Sequence, residues 1–442
     1  MSLKRMNKIS LELGLSTDML PVFLAVVEKS ALAFTMAERE AMFLTLAAEE
    51  VFTYLAQAGT VEESVRMVLS DGGYYIRLDF IFSKRSLNLR AFNLSNSIDL
   101  SDENRLDEIG LLIAARTVDR ILIEFNKQGN MQLSLIKDKS YPQGQVQAIK
   151  TKSESAPLNS KLHFTQPDNN DLKLFCQMIP SFYASESFPD FFNYPGKVVD
   201  MVSSGEYQAI LAYDEQDHIL GGLVWEHNIR KTVEFYGPYS FNDRPQIAEG
   251  ILEQCLQELG RSEAPGIMNR SAEKGLYAQY FETLGQTHLV KPDGTVLERT
   301  AIYRQLGEDP GSRVWTHPDL VGFLETEYRR LYLPREILPS VSMGEHANPF
   351  SVYTAAFEQR TITLRVLLAG KDAEENLLKH LQLFQQENYL NIFFELDLGQ
   401  TWQAEMVPTL LASHFKPCFI IPNAGTCDVV LFQYQAGTGE LK

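Results

Sequence analysis

A polar stretch from Asp138 to about Lys161 divides this chain of 442 residues. It contains proline, glycine, serine and lysine without apolar periodicity, which predicts a linker rather than a packed helix or strand. Since one ordinary domain holds roughly 100–200 residues, several cores are expected. We predict a first domain over residues 1–138, a linker over 139–160, a second domain over 161–308 and a third over 309–442.

The composition is typical of a globular protein, with 45% hydrophobic and 22% charged residues. A formal net charge of -17 opposes broad contact with nucleic-acid phosphates. No apolar run approaches the roughly 20 residues that span a bilayer, and the N-terminal residues lack a signal-peptide core. We therefore expect a cytoplasmic protein without a nucleic-acid or membrane partner.

The cysteines and histidines predict no metal site. Cys176, Cys255, Cys418 and Cys427 are scattered, without a CxxC pair. The eight histidines lie apart, without HxxxH or HExxH spacing. Reduced cysteines in the core are therefore expected, rather than a disulfide framework or a zinc site.

The first domain begins with strand-like alternation over residues 8–16, followed by helical spacing over 18–34 and 36–57. Strands are predicted over 64–73, 74–83 and 86–93, with Asp71-Gly72-Gly73 as a hairpin turn. A helix over 109–119 and a hairpin over 120–137 complete the unit. This order predicts an α+β sandwich with helices on one face of a mainly antiparallel sheet.

Over roughly residues 7–137, this order resembles the anti-sigma-factor serine kinases of the GHKL ATPase superfamily. That family carries Glu-x-x-x-Asn on its second helix, and here Glu50 and Tyr54 hold those places. A phenol offers no amide oxygen to magnesium. The family's Asp-x-Gly-x-Gly motif is missing from the segment FIFSKRSLNLRAFN. The family also has a later pair of glycines, of which this chain keeps one, Gly110, and has Glu108 in place of the other. The resemblance implies a GHKL ATPase-like fold with a degenerate nucleotide site at Glu50, Tyr54 and Gly110, and we expect ATP and magnesium not to bind.

The remaining chain alternates strands and helices. In the second domain, strands are predicted within 162–165, 207–228, 232–241 and 264–270, and helices near 169–175, 245–260 and 272–285. The third domain is led by PDLVGFLETEYRRLYLPREI, residues 318–337, and is predicted to continue with strands over 362–370, 391–398 and 427–435 and helices over 373–386 and 402–415. This alternation matches the second half of the preceding domain, without an evident sequence repeat.

The second domain resembles the GNAT acyl-CoA N-acyltransferases. Tyr194-Pro195 and Gly221-Gly222 match a group of bacterial fusion proteins in which an anti-sigma-kinase-like domain precedes a GNAT domain. The resemblance implies an α+β and α/β multidomain chain. In it, the GHKL ATPase-like sandwich precedes a GNAT-like mixed-sheet domain and a partial GNAT-like C-terminal domain.

In GNAT enzymes, a glycine-rich loop before a helix presents backbone N–H groups to the CoA pyrophosphate. The corresponding segment here is NDRPQIAEGILEQ, in which Ile247 and Glu249 replace small residues. The resemblance implies a degenerate loop for acetyl-CoA or another acyl-CoA, made of Arg244, Gln246, Ile247, Ala248 and Gly250.

The resemblance also implies catalytic candidates. Many members place a tyrosine four residues before the glycine of a late helix, as general acid. Phe281 holds that place before Gly285, with Tyr280 beside it. Glu234 or Glu226 on the strands could act as general base through water, although a strand carboxylate is more often simply solvated.

The segment over residues 180–196, PSFYASESFPDFFNYPG, is rich in aromatic residues. One interpretation is an apolar plug beneath a long loop, and the other is a lid or wall for a small apolar or aromatic ligand.

The leading hypothesis is a regulatory, ligand-binding protein. Its first domain would bind a protein partner of the sigma-factor-regulator type, and its second would sense a small molecule or acyl-CoA. The alternative is an acyl-CoA-dependent N-acyltransferase regulated by the first domain. A third hypothesis is an ATP-binding serine kinase.

Overall fold

The computed structural model describes residues 7–58, 63–83, 89–95, 106–125, 130–145, 161–227, 231–242, 244–272, 279–309, 311–340 and 348–435. These residues form three consecutive modules, which we call the first, middle and third modules. Each combines helices with its own sheets, so the predicted mixed α+β multidomain architecture is confirmed at this level.

The first module is a five-stranded antiparallel sheet with three helices. Its strands are β1 (Lys8–Gly14), β2 (Ser64–Asp71), β3 (Tyr75–Ser83), β4 (Arg120–Phe125) and β5 (Asn130–Asp138), in the spatial order β1-β2-β3-β5-β4. Its helices are α1 (Leu20–Ala33), α2 (Glu38–Ala58) and α3 (Leu106–Thr117). The Phe23 ring of α1 lies 5.0 Å from Phe52 of α2 and 5.9 Å from Phe80 of β3, so helices and sheet share one core.

The predicted hairpin turn between β2 and β3 is present. Gly73 has a φ of 85°, which favours glycine, and its N–H donates to Asp71 Oδ1 over 3.0 Å. The strand predicted over residues 86–93 is wrong at its end: Arg90–Phe92 form a short 3₁₀ helix, while residues 84–88 lie outside the described residues. The Asn93 side chain closes this turn by donating to Arg90 O over 2.9 Å.

The middle module contains a seven-stranded mixed sheet. Its strands are β6 (His163–Thr165), β7 (Tyr207–Tyr213), β8 (Ile219–Glu226), β9 (Val233–Ser240), β10 (Gly266–Ala272), β11 (Glu282–Val290) and β12 (Val296–Gln305), in the spatial order β11-β12-β10-β9-β8-β7-β6. Its helices are α4 (Asn169–Phe182), α5 (Pro195–Ser204) and α6 (Pro245–Leu259). Helix α4 begins where Asp168 Oδ1 accepts hydrogen bonds from the backbone N–H groups of Asn170 and Asp171.

The helix predicted over residues 272–285 is wrong where the structure describes it. From Glu282 the chain is strand β11, which pairs antiparallel with β12, while residues 273–278 lie outside the described residues. Hairpin pairing with the next strand, β12, decides the conformation of this segment, which has no strong alternation of its own.

The third module contains a parallel strand pair and a five-stranded sheet. Strands β13 (Ser312–Thr316) and β14 (Arg335–Pro339) flank helix α7 (Pro318–Arg330). The larger sheet is formed by β15 (Val352–Glu358), β16 (Thr361–Leu368), β17 (Asn391–Asp397), β18 (Phe415–Ile421) and β19 (Val429–Tyr434), with helices α8 (Ala373–Gln386), α9 (Thr401–Ala404) and α10 (Val407–Ala412). Sequence analysis did not identify β13, β14, β15 or β18.

The third module repeats the topology of the second half of the middle module. Its sheet order β15-β16-β17-β19-β18 corresponds to β8-β9-β10-β12-β11. In both series the second and third strands pair parallel and the other neighbours pair antiparallel. The predicted match between the two units is therefore confirmed at the level of strand order and direction.

Side chains of one module bind backbone edges of another. Asn93 of the first module bonds the backbone at the start of β15, donating to O of the preceding Ser351 and accepting from Tyr353 N–H. Gln433 and Asn391 of the third module each bond the backbone of β11 as both donor and acceptor, at His288 and Val290 respectively. Pairing with amide side chains satisfies strand edges that another strand does not cover.

The first residues of the predicted linker run along α5 of the middle module. Tyr141 Oη donates to Asp200 Oδ2 over 2.7 Å, and Gly144 N–H donates to Asn193 O, just before α5, over 2.8 Å. Lys197 Nζ on α5 pairs with Asp138 Oδ2, at the end of β5, over 2.7 Å. These contacts fix the first module against the middle one.

Candidate functional site

The middle sheet opens between its two parallel strands, β9 and β10. They pair at Val233↔Ile267 and Glu234↔Met268 and then diverge. Across the opening, Asn269 Nδ2 donates to Gly237 O over 3.2 Å. Gly237 has a φ of 103°, and a Cβ there would lie 2.8 Å from Tyr239 N, so only glycine fits this turn of β9.

A cavity of about 990 Å³ lies at this opening, between the middle and third modules. The middle module contributes residues of β9, β10 and the β11–β12 hairpin, and the third module contributes residues of β15, β16 and β17. In the third module the corresponding parallel strands stay paired from Thr361↔Asn391 to Arg365↔Glu395. The third module therefore supplies a wall to the cavity of the middle module, and the site is composite.

An ion-pair network joins the two modules across the cavity. Arg270 of β10 donates to Glu234 Oε2 over 3.2 Å and to Glu395 Oε1 over 2.5 Å. Arg365 of β16 donates from Nε to Glu395 Oε2 over 2.6 Å. Burial opposes the charge of Glu395, but Arg270 and Arg365 hold its pKa at about 2, so it is a carboxylate at neutral pH.

Glu226 and Glu234 form the second charged feature. Trp225 pairs with Phe235 in the antiparallel register of β8 and β9, so the next residues, Glu226 and Glu234, are neighbours across the two strands. Burial, and then the charge of Glu234, raises the pKa of Glu226 to about 7. Burial also raises the pKa of Glu234, against the opposing effect of Arg270. Tyr207 Oη donates to Glu226 Oε1 over 3.3 Å.

The aromatic segment over 180–196 has features of both interpretations: part of it is buried as an apolar plug, and part of it forms a wall of the cavity. Phe192 is buried beneath the cavity, whereas other aromatic residues line it: Tyr183, Phe188, Phe191 and Tyr194. The Phe191 ring lies 5.2 Å from that of Tyr236 on β9, edge to face. This segment is therefore an aromatic wall, and its face presents rings beside the carboxylates of the strands.

The residues predicted for the CoA loop begin helix α6, and none of them lines the cavity. Arg244 is the N-cap residue and Gln246 is exposed, while Ile247 and Ala248 are buried in the core. A Cβ on Gly250 would lie 2.2 Å from the Phe164 ring, so this glycine lets β6 pack against α6.

Tyr280, the candidate general acid, also lies outside the cavity lining. Its hydroxyl donates to Glu253 Oε1 on α6 over 3.0 Å. That bond raises the pKa of the Tyr280 hydroxyl. Phe281 packs in the core, 5.5 Å from the Phe235 ring. Of the three catalytic candidates, Glu234 lines the cavity, Glu226 lies next to Glu234 outside the lining, and Tyr280 lies elsewhere.

The residues predicted for the nucleotide site lie between α2 and α3. A Cβ on Gly110 would lie 2.1 Å from Glu50 Oε2, so the Glu50 side chain occupies the space beside this glycine. Burial, and then the charge of Glu49, raises the pKa of Glu50. Tyr54 packs partly buried against the core of the first module.

The charged residues of the site that were not identified from sequence include Arg270, Arg365, Glu358 and Glu395. Glu395 interrupts the mainly apolar segment NIFFELDL, which is a signal for a function beyond packing, whereas Arg365 follows the ordinary polar alternation of ITLRVLL. Among the described residues, no group of histidine, cysteine, aspartate or glutamate is arranged to hold a metal ion, and no helix is long and apolar enough to cross a membrane.

Comparison with known proteins gave structural likeness only. No family model matches the sequence, and no curated protein matches it. An aminoglycoside 6'-acetyltransferase type Ii matches 34% of this chain and 99% of its own, at 15% identity and a TM-score of 0.28. A putative acetyltransferase from Salmonella typhimurium, solved with its cofactor acetyl-CoA, matches 34% of this chain and 96% of its own, at 14% identity and a TM-score of 0.29. The RsbU and RsbW domains of a Mycobacterium tuberculosis protein match 31% of this chain and 33% of their own, at 13% identity and a TM-score of 0.22. Likenesses of this size carry no functional information.

Proposed function

We propose that this chain is a regulatory protein that binds a small organic cation in the composite cavity, and that its first module contacts a protein partner of the sigma-factor-regulator type. One contrast carries the proposal. The glycines that the resemblance places beside phosphate groups, Gly250 and Gly110, lie against the chain's own side chains, Phe164 and Glu50, whereas the cavity is open.

The charge cluster around Arg270 favours a cation. There the guanidinium groups of Arg270 and Arg365 interact with a larger set of carboxylates: Glu226, Glu234, Glu358 and Glu395. The rest of the lining carries Lys197, Lys291, Arg299 and Arg360 with Glu186 and Asp190, so the excess of negative charge is confined to this cluster. Burial, and then the charge of Glu234, raises the pKa of Glu358, which lines the cavity. A bound cation would stabilise these carboxylates in their charged form.

The aromatic wall favours an organic cation over a metal ion. Rings attract ammonium groups through their faces, and they bury the apolar part of a ligand. Phe191 and Tyr236 supply such rings beside Glu234, which neighbours Tyr236 on the same strand. An amine with an aromatic or aliphatic body matches both surfaces.

The second candidate function is an acyl-CoA-dependent N-acyltransferase. Glu226 favours it, because a pKa of about 7 suits a general base that accepts a proton from an amine, directly or through water. In this case acetyl-CoA or another acyl-CoA would have to bind without the glycine-rich loop, along the turn that begins at Arg244.

Thermal unfolding of the full chain with separate ligands tests these functions. The probes are phenethylamine, hydrocinnamate (which keeps the ring but carries a carboxylate), acetyl-CoA and Mg-ATP. A ligand at about 100 times its Kd adds about 2.7 kcal/mol to the free energy of unfolding. We expect stabilisation by phenethylamine alone. Stabilisation by acetyl-CoA would favour the enzyme, and stabilisation by Mg-ATP would contradict the loss of the nucleotide site.

A matched pair of variants tests whether phenethylamine binds in the cavity. Glu358→Gln removes one carboxylate charge inside the cavity, while Glu325→Gln removes one on the exposed face of α7. Only the first should reduce stabilisation by phenethylamine. An equal response in both variants would mean that the amine binds elsewhere.

A further inference from the structure

A second cavity, which we call the interface cavity, lies between the first and third modules. Its volume is about 420 Å³, within the range of roughly 300–1,000 Å³ that small-molecule sites occupy. The first module lines it with the 3₁₀ turn at Phe92 and with the turn from α3 into β4. The third module lines it mainly with β15 and the end of α8, so a ligand in this cavity contacts both modules at once.

Buried hydrogen bonds between the two modules hold the walls of the interface cavity. Besides the bonds that Asn93 makes, the side chain of Asn376 on α8 donates to Ser351 O, just before β15, over 3.0 Å. Ser95 Oγ of the first module donates to Asn376 Oδ1 over 3.1 Å and lies 3.0 Å from His380 Nδ1. A frame of this kind is formed before a ligand binds, which lowers the cost of ordering the site.

Three aromatic side chains of the third module form one wall of the interface cavity. The Phe357 ring lies 5.6 Å from that of Tyr389 and 6.2 Å from that of Phe384, and the last two rings lie 6.3 Å apart. Phe384 is fully buried, whereas Phe357 keeps 48% of its surface exposed. Such a wall can accept the ring of an aromatic ligand edge to face.

Four charged side chains line the interface cavity, and two of them have partners within the first module. Asp119 pairs with Lys137 over 3.1 Å, and Arg120 pairs with Asp138 over 2.9 Å. These two lining residues are therefore already neutralised by ion pairs.

The other two, Arg116 and Glu387, carry opposite charges. Among the described residues, no hydrogen bond or ion pair engages either side chain. Arg116 lies in the last turn of α3, and Glu387 is the C-cap residue of α8. The negative end of the α8 dipole disfavours a carboxylate at that place, and a cation would offset this effect. The cavity thus presents one cationic and one anionic group beside an aromatic wall.

We propose that the interface cavity binds a zwitterionic ligand with an aromatic body, either an aromatic amino acid or a short peptide that contains one. The ring of the ligand packs against the wall formed by Phe357, Phe384 and Tyr389. Its carboxylate accepts hydrogen bonds from the Arg116 guanidinium, and its ammonium group donates to the Glu387 carboxylate. Because the ligand contacts both modules, it stabilises the contact between them.

The interface cavity can be tested separately from the composite cavity. Phe357 lines both cavities, but Arg116 and Glu387 line only the interface cavity, and Glu358 lines only the composite one. Substitutions at the last three positions therefore distinguish the two sites, and failure of one proposal leaves the other standing.

Calorimetric titration of the full chain with L-phenylalanine and with L-phenylalanylglycine tests the proposal. We expect at least one of them to bind with a Kd that rises about tenfold in Arg116→Gln and in Glu387→Gln, because each change removes a charged hydrogen-bonding partner. Tighter binding of the dipeptide would identify a peptide as the ligand. N-acetyl-L-phenylalanine, which lacks the ammonium group, should respond to Arg116→Gln but not to Glu387→Gln.

Matched controls make the same charge changes on helix α7. Arg329→Gln lies in its last turn and Glu325→Gln on its exposed face, and both should bind as the wild type does. If neither ligand binds, or if binding is indifferent to both Arg116→Gln and Glu387→Gln, the proposal is overturned.

Filling the interface cavity gives a second test. Ala355→Leu adds volume inside it, whereas Ala356→Leu adds the same volume on the opposite face of β15, at the composite cavity. Only Ala355→Leu should abolish the binding that depends on Arg116. Unchanged binding in Ala355→Leu would contradict this placement of the ligand, and the charge variants decide the question if Ala355→Leu does not fold.

Discussion

Arg270 of the middle module and Glu395 of the third module share a hydrogen bond of 2.5 Å at the composite cavity. Arg365 holds the second oxygen of the same carboxylate, so Glu395 is bound from both modules. The third module, which repeats half of the middle fold, therefore completes the site of its neighbour.

Replacing Arg270 should weaken the contact between these modules. Arg270→Met keeps most of the side-chain length but leaves Glu234 without this partner and Glu395 with Arg365 alone. Because Glu395 is buried, we expect the free energy of unfolding to fall by about 1–3 kcal/mol, measured by urea denaturation.

Arg313→Met is the matched control for Arg270→Met. Arg313 pairs with Glu336 over 2.9 Å, but both side chains are mostly exposed. Its loss should cost less than about 1 kcal/mol. Equal losses in the two variants would show that the pair across the cavity contributes no more than a surface ion pair.

Glu226 should make the folded protein less stable as the pH rises towards neutrality. Its pKa lies at about 7, above the ordinary value of 4.5, first because of burial and then because of Glu234. The folded chain therefore holds this proton more tightly than the unfolded chain. This contribution lowers the free energy of unfolding between pH 4.5 and about 7, and the full penalty remains above that range.

Glu226→Gln should remove this penalty. Relative to wild type, we expect the variant to gain about 1–2 kcal/mol at about pH 8 and little at about pH 4.5, measured by urea denaturation at both values. Glu325→Gln, on exposed helix surface, should show no such difference. A gain that is the same at both pH values would contradict the raised pKa.

Gly250 should be required for packing. A Cβ there meets the Phe164 ring at 2.2 Å, so we expect Gly250→Ala to lower the free energy of unfolding by about 1–3 kcal/mol. Gly322 also lies inside a helix, but a Cβ there meets nothing within 4 Å, and Gly322→Ala should stabilise the protein by about 0.5–1 kcal/mol. Phe164→Leu should recover part of the loss in Gly250→Ala. Without such recovery, the glycine would have another role than the contact with Phe164.

The sequence predicts elements where local signals decide them. The turn at Gly73 and helix α6 have clear periodicity or turn residues at their ends, and both are present. The helix prediction is wrong at strand β11, whose own residues alternate only weakly. The signal for the strand lies outside that segment, in the Pro292-Asp293-Gly294 turn that joins β11 to β12 as a hairpin.

The residues of the site could likewise be predicted only where the local sequence identifies the element that carries them. Glu226 and Glu234 could be proposed from sequence, because they lie on recognisable strands of one unit. The bond between Arg270 and Glu395 joins residues 125 positions apart in sequence, in different modules. A single sequence shows that Glu395 interrupts an apolar strand, but the topology alone identifies its partner.

The contact between Glu50 and Gly110 should appear as a coupling energy. Alanine at a helical glycine normally adds about 0.5–1 kcal/mol, but here its Cβ would displace the Glu50 carboxylate. Gly110→Ala should therefore gain less in the wild-type chain than in Glu50→Ala, with a difference of about 0.5–2 kcal/mol between the two backgrounds. Unfolding of the wild type, both single variants and the double variant gives this value, and a difference of zero would mean that Glu50 does not fill the space beside α3. Because this carboxylate lies beside Gly110, which the resemblance places next to nucleotide phosphate, Glu50→Ala is also the variant in which we expect the strongest stabilisation by Mg-ATP.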